Sequence, residues 1–327
     1  MTLHDRNGFV GELTHRGQSD AAHLTSQRVG ADDQYPVVRS QLIGEQSGRA
    51  LGAGHDILRA GGEAQLVEML GYLRGVSRVD YAPYGSLTEA SLPTLHELVG
   101  LCPAVKCFLG CSTGAGGVKD EATMRKLFAR AAEVGIKIVA HCEDNQVMDA
   151  AAESAEGEQA ERHDYLRPVE AEVQSIRDAI RVAGEVGAVL HVFHISTAEG
   201  GRLVAEARAA GKPVTGTTAP HYLISEAEEA AAKHENRFKV NPSIKSIDNQ
   251  KGLRELVGQR LLEGVGTDHA PHPLEEKART YAKAPSGFPS VDLLLPLLVA
   301  IADDADELSV EAALASVTTY LYTYTPS

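Results

Sequence analysis

Residues 136–144 read IKIVAHCED, residues 189–196 read VLHVFHIS, and residues 264–272 read GVGTDHAPH. Each begins as a short apolar run and closes on a polar residue able to do chemistry: Ala140 runs into His141, Phe193 into His194 and Thr267 into Asp268. A fourth run, Val105–Leu109, holds Lys106 and stops at Gly110. Apolar runs of this length, bounded by turn residues, predict strands. Helical spacing predicts helices at Glu63–Leu73, Leu92–Leu101, Glu121–Val134, Val169–Val186, Gly200–Ala210, within Ser246–Leu262, and at Val291–Ala302. Further strands are predicted at Val79–Tyr84 and Pro213–Thr218.

Strand and helix thus alternate from residue 79 onward. That alternation predicts a parallel sheet with crossover helices. A (β/α)8 TIM-type barrel would bring the strand ends to one mouth, where Lys106, His141, His194 and Asp268 would meet. An open doubly wound sheet is the alternative, but no Gly-x-Gly-x-x-Gly follows a strand to mark a nucleotide site. His191 precedes His194 by an odd number of residues, and alternation turns such pairs to opposite faces of a strand. The reading assigns His194, nearer the strand end, to the barrel interior and leaves His191 to packing.

The chain has 327 residues, with 31 Lys and Arg against 45 Asp and Glu, for a net charge of −14. A hydrophobic content of 43% excludes a collagen-like or mostly disordered chain, and the length suffices for a large α/β core. The acidic excess argues against a nucleic-acid partner and against an anionic membrane surface. Cys102, Cys107, Cys111 and Cys142 include no Cys-x-x-Cys pair, which argues against a zinc knuckle and suits a reducing compartment. The N-terminal stretch lacks a signal-peptide core, and Val291–Ala302 is far shorter than the roughly 20 residues that span a bilayer. The expected location is the cytoplasm. Residues 1–60 show no strand-length apolar run and read as an irregular segment ahead of a barrel domain at 61–327.

Two imidazoles, a carboxylate and a lysine make a poor nucleophilic site and a sensible metal site. Neutral His and Asp bind zinc well. A lysine ammonium repels a metal, but its reaction with carbon dioxide yields a carbamate, an anionic oxygen ligand able to bridge two ions. A metal lowers the pKa of the water it holds, and a neighbouring Asp can relay the proton, which is hydrolytic chemistry.

The run Gly266–Ala278, GTDHAPHPLEEKA, resembles the signature of dihydroorotases in the amidohydrolase superfamily. VKCFLGCSTG from Val105, AHCED from Ala140, HVFHISTAE from His191, Val240-Asn241-Pro242 and APSGFPSVD from Ala284 fit the same family in the same order. The resemblance covers about residues 79–305. It implies a metal-dependent barrel and reversible cyclisation of N-carbamoyl-L-aspartate to dihydroorotate, a step of pyrimidine biosynthesis. It implies one or two zinc ions, a carboxylated Lys106 that bridges the metals, His141 and His194 as the ligands of the second metal, and Asp268 as both a ligand and the general acid/base. By the same resemblance, Asn241 and His272 hold the substrate, Pro285 to Gly287 line the pocket, and His221 lies near the site without being a ligand. Hydantoinase- or allantoinase-like hydrolysis is the neighbouring alternative, and the DHAPH run favours dihydroorotate over it.

The departures from the family pattern are specific. The family opens its barrel with a strand ending in His-x-His followed by Arg, and no His-x-His occurs in this sequence. The Asn of the family's second strand has no counterpart, and Ala315–Ser327 lacks the usual Asn-Pro-Ala continuation. Three readings account for this: an inactive relative that survives by association, a truncated or frame-disrupted product, or a rebuilt segment within residues 1–60. An inactive relative would serve as a structural or regulatory subunit, as a homo-oligomer or beside aspartate carbamoyltransferase.

Overall fold

The computed structural model of the chain describes residues 61–78, 81–112 and 117–318. Six parallel strands form one sheet: β1 (Gly85–Ser86), β2 (Val105–Leu109), β3 (Ile138–Cys142), β4 (Leu190–Val192), β5 (Val214–Thr218) and β6 (Gly264–Val265). Their spatial order is the chain order, and every neighbouring pair is parallel. A doubly wound sheet needs a point where strand order reverses. None occurs among the described strands, so the arrangement is that of a (β/α)8 barrel, two strands short of the full set among the described residues. The expected irregular segment 1–60 and the tail beyond residue 318 lie outside the described residues.

The helices are α1 (Glu63–Val76), α2 (Glu121–Val134), α3 (Asn145–Ser154), α4 (His163–Leu166), α5 (Val169–Val186), α6 (Ala198–Ala209), α7 (Pro220–Ile224), α8 (Ala227–His234), α9 (Ile247–Gly258), α10 (Leu274–Lys277), α11 (Leu294–Asp304) and α12 (Val310–Val317). Local chemistry sets several ends. Asp120 Oδ1 accepts from the Thr123 N–H at 2.8 Å and starts α2, and Gly135 at φ 76° ends it. No described helix is long and apolar enough to cross a membrane.

Two expectations differ in detail. Leu92–Leu101 is not a continuous helix; 3-10 turns form at Glu89–Ser91 and Leu95–Leu98. Pro93 falls in the first turn of that stretch, where its missing N–H costs no helical bond, and the break lies at Val99, which is extended, and Gly100, whose φ of 81° is not helical. Of the strand expected at Val79–Tyr84, residues 79 and 80 lie outside the described set, and the pairing with β2 is made by Gly85–Ser86. The short helices α3 and α4, which fill the connection from β3 to α5, were not legible as periodic segments.

The two faces of the sheet divide packing from chemistry. Val105, Cys107 and Leu109 of β2 join Ile138, Ala140, Leu190 and Val192 in the core, with Leu127, Phe128 and Ala131 of α2. Leu127 and Phe128 are fully buried, each contributing about 1.5–3 kcal/mol. Lys106 and Phe108 lie on the opposite, inner face. Register aligns Lys106 with Val139, His191 and Thr215, and aligns Phe108 with His141. A one-residue slip would bury Lys106 and His141 against the helices, so the outer apolar face enforces the inner polar one.

Candidate active site

His141 sits one level above Lys106 on the inner face, near the C-terminal end of β3. His194 lies beyond the last residue of β4, and Asp268 beyond β6. Both take positive φ, 42° and 46°, a region that costs a non-glycine residue about 1–3 kcal/mol and that clusters at functional sites. The turn at His194 also corrects the reading of His191. The parity rule holds only within a strand, and β4 ends at Val192. His191 therefore faces inward as well, in the layer of Lys106. Its Nδ1 lies 2.7 Å from Thr215 Oγ1 and its Nε2 3.2 Å from Thr217 Oγ1.

His141 Nδ1 and His194 Nε2 are 3.3 Å apart. Two nitrogens on a tetrahedral zinc at the usual bond length are about 3.3–3.4 Å apart, so this pair fits one edge of a zinc site. Burial, reinforced by the nearby Lys106 charge, holds both rings below the usual imidazole range and so neutral, as a metal ligand must be. The Lys106 stem lifts its amine to the upper layer, 4.4 Å from the Phe193 ring centre and 5.0 Å from that of Phe108. His194 Nδ1 and both His221 nitrogens are buried without hydrogen-bond partners among the described residues. His221 Nε2 is 3.8 Å from Asp268 Oδ2.

Among the described residues, no three His, Cys, Asp or Glu side chains form a metal-ligand group. The expected set of Lys106, His141, His194 and Asp268 is thus realised as an imidazole pair with Lys106 beside it. Lys106 becomes an anionic ligand only as a carbamate, and Asp268 lies alongside His221 instead of completing a three-residue group.

Glu143 orients the pair, a role not read from AHCED. Its Oε2 lies 2.9 Å from His141 Nε2, and it also pairs with Arg167. A carboxylate at Nε2 draws the ring proton there and leaves Nδ1 as the lone-pair nitrogen, the arrangement seen around metal-bound histidines. Burial alone would raise the Glu143 carboxyl, but Arg167 and His141 outweigh it and hold it at about 2. Arg167 also donates to Cys111 O at 2.8 Å. Gly110, at φ 99°, permits the close approach: a Cβ there would lie 2.0 Å from Glu143 O.

On the expected substrate side, the His272 Nε2–H donates to Ser286 O at 3.0 Å. Gly287 lets this loop lie against His272, because a Cβ there would meet Ala270 O at 2.2 Å and the His272 ring at 2.8 Å. Lys277 Nζ donates to Lys239 O, Pro285 O and Gly287 O at 2.9, 3.0 and 3.2 Å, tying Pro285–Gly287 to the segment before Asn241. Asn241 meets His163 from α4. Sequence reasoning missed Glu143, Arg167, His163, Lys277 and Tyr281. Glu143 and Lys277 lay in runs already singled out, AHCED and Gly266–Ala278.

Burial pushes His163 and His221 down to about 3. Unfolded, each takes up a proton near pH 6.5. The folded state does not, so its stability is intact above about pH 6.5 and is lost as pH falls toward 3. Thermal unfolding midpoints are expected to drop steadily from pH 7 to pH 5; a flat profile over that range would contradict these two neutral, buried rings.

Imidazoles, a lysine and an aspartate thus stand around one mouth of the parallel barrel. Residues 56–200 match the family described as dihydro-orotase-like. A dihydroorotase of Brevibacillus brevis is 34% identical over 226 residues, covering 68% of this chain and 52% of that protein. An allantoinase of Escherichia coli is 32% identical over 225 residues, covering 66% and 49%. The L-hydantoinase of Arthrobacter aurescens superposes with a TM-score of 0.70 at 24% identity, over 78% of this chain and 58% of that one. The chain thus carries a dihydro-orotase-like region at residues 56–200 and is similar over about two thirds of its length to a dihydroorotase and an allantoinase. It spans about half the length of the curated relatives it matches.

Proposed function

We propose that the chain acts as a metal-dependent cyclic amidohydrolase of dihydroorotase type, opening dihydroorotate to N-carbamoyl-L-aspartate and closing it again. The observation that carries this reading is the His141–His194 pair at zinc-ligand spacing beside Lys106. His141 and His194, with a carboxylated Lys106 and Asp268, would hold the ion. A bound zinc supplies Lewis-acid polarisation of the ring carbonyl and a more acidic water. The rest is done by the chain's own groups. An Asp268 carboxylate oxygen takes the proton from the attacking water and returns it to the ring nitrogen as the amide bond breaks. Glu143 keeps the His141 ring turned. Asn241 and His272 hold the substrate's oxygens, and Pro285 and Gly287 shape the wall behind it. The acidic surface argues for small molecules over nucleic acid or membrane, and we place the protein in the cytoplasm, as a homo-oligomer or beside aspartate carbamoyltransferase.

Hydantoin-type or allantoin hydrolysis is the second reading, favoured by the Escherichia coli allantoinase relative and the L-hydantoinase fold match. The test is the rate of ring opening near pH 8, with added zinc, for dihydroorotate, allantoin and hydantoin side by side. Dihydroorotate is expected to be opened fastest, yet below roughly 1 per second, the low end of ordinary enzymes. The chain carries no His-x-His, and loss of substrate positioning alone can cost on the order of 100-fold. A faster allantoin or hydantoin rate selects the second reading. Absence of turnover on all three selects a structural subunit.

A further inference from the structure

The start of α5 touches the chain just beyond both imidazoles of the site. Arg167, two residues ahead of the helix, pairs with Glu143. Ala171 O accepts from the Asp144 N–H at 2.8 Å, three residues past His141. Glu172 Oε1 accepts from the Ser196 N–H at 2.8 Å, two residues past His194. Glu172 and Ser196 are both buried. A carboxylate that accepts from a backbone N–H makes a charge-assisted bond, stronger than the amide–carbonyl bonds of the sheet. The His194 turn is also held from β5: the Ile195 N–H donates to Thr217 O at 2.8 Å, and the Thr218 hydroxyl donates to Ile195 O at 2.7 Å. His194 keeps its positive φ of 42° beside these anchors. Such a conformation persists only where its surroundings over-determine it. Of these anchors, Glu172 is the one that comes from α5, the helix that also holds the chain beyond His141.

We propose that Glu172 is a positioning residue for His194: by binding the Ser196 N–H it fixes the turn that carries the imidazole, and the first turn of α5 thereby sets the spacing of His194 Nε2 from His141 Nδ1. Ala171 and Glu172 are adjacent on one helical turn, so the two strand ends bound to them do not drift independently. A pair of ligands on one ion needs this, because a metal site tolerates only about 0.5 Å of misplacement. The reach of the Glu172 acceptor, not its charge, does the positioning. Glu143 acts differently, on the His141 ring itself. The inference rests on the reading of His141 and His194 as metal ligands.

Two variants of the full chain separate reach from charge. Glu172→Asp keeps the charge and withdraws the acceptor by one methylene, whereas Glu172→Gln keeps the reach and drops the charge. Zinc affinity is expected to fall by about tenfold or more in Glu172→Asp and to stay within about threefold of the parent in Glu172→Gln. The reverse order or equal losses overturn the proposal. So does a Glu172→Asp chain that is less stable to urea yet binds zinc as the parent does. A second readout needs no metal: the ring resonances of isotope-labelled histidines in the zinc-free chain. The His194 resonances are expected to move in Glu172→Asp and to stay in place in Glu172→Gln; unmoved resonances in Glu172→Asp overturn the proposal. A parent chain that takes up no zinc defeats the metal reading alone, and the resonances still decide for or against Glu172.

Discussion

Zinc content of the purified chain is expected to fall from about one equivalent to below about a tenth when His194 is replaced by alanine. His141 and His194 supply the two nitrogens at ligand spacing, and no third His, Cys, Asp or Glu among the described residues joins them in a ligand group. Loss of either imidazole therefore leaves no pair of protein nitrogens to retain the ion. Replacing His191, whose ring nitrogens lie by Thr215 and Thr217, should leave zinc content near the parent value. Metal analysis after dialysis reads both variants. Two equivalents in the parent chain would mean that residues outside the described set supply ligands. Full retention in His194→Ala would remove the imidazole pair from the site.

Glu143→Ala is expected to destabilise the chain by about 3–5 kcal/mol. The Glu143 side chain is fully buried between His141 and a mostly buried Arg167. Its removal strands the Arg167 guanidinium, and an uncompensated buried charge costs far more than the net worth of the pair. Glu143→Gln should cost less, since the amide oxygen still accepts from Arg167, while the support of a carboxylate at His141 is lost. Zinc affinity in Glu143→Gln should then fall by about 10- to 100-fold, the usual effect of losing a partner behind a ligating histidine. Urea unfolding and zinc titration separate the two effects. A loss below about 1 kcal/mol in Glu143→Ala would show the pair to be solvated and not structural.

Much of the framework was legible because its signals are local. The bounds of β2, α2 and α5 agree with those read from apolar runs and helical spacing, and Gly110, Gly135 and Gly187 take positive φ just past their ends. Stops of this kind act within one turn of chain and need no partner. Leu92–Leu101 failed for an equally local reason, the non-helical backbone at Val99 and Gly100, which the periodic spacing of leucines had masked. His191 was misassigned because strand parity was carried past the point where β4 ends. His163 offered no signal at all: its partners Asn241 and Tyr281 lie 78 and 118 residues away in sequence.

The family resemblance, the parallel alternation and the residues Lys106, within a strand, and His141, His194 and Asp268, at strand ends, could all be read from the sequence. Hydrophobic period, turn residues and motif order are properties of contiguous chain. It took the folded chain to show that His141 and His194 present facing nitrogens, that Glu143 and Arg167 stand behind them, that His191 shares the inner face, and that His163 meets Asn241. Those contacts depend on strand register and on where separate connections cross above the sheet, and both are settled by packing of the outer apolar face against the helices.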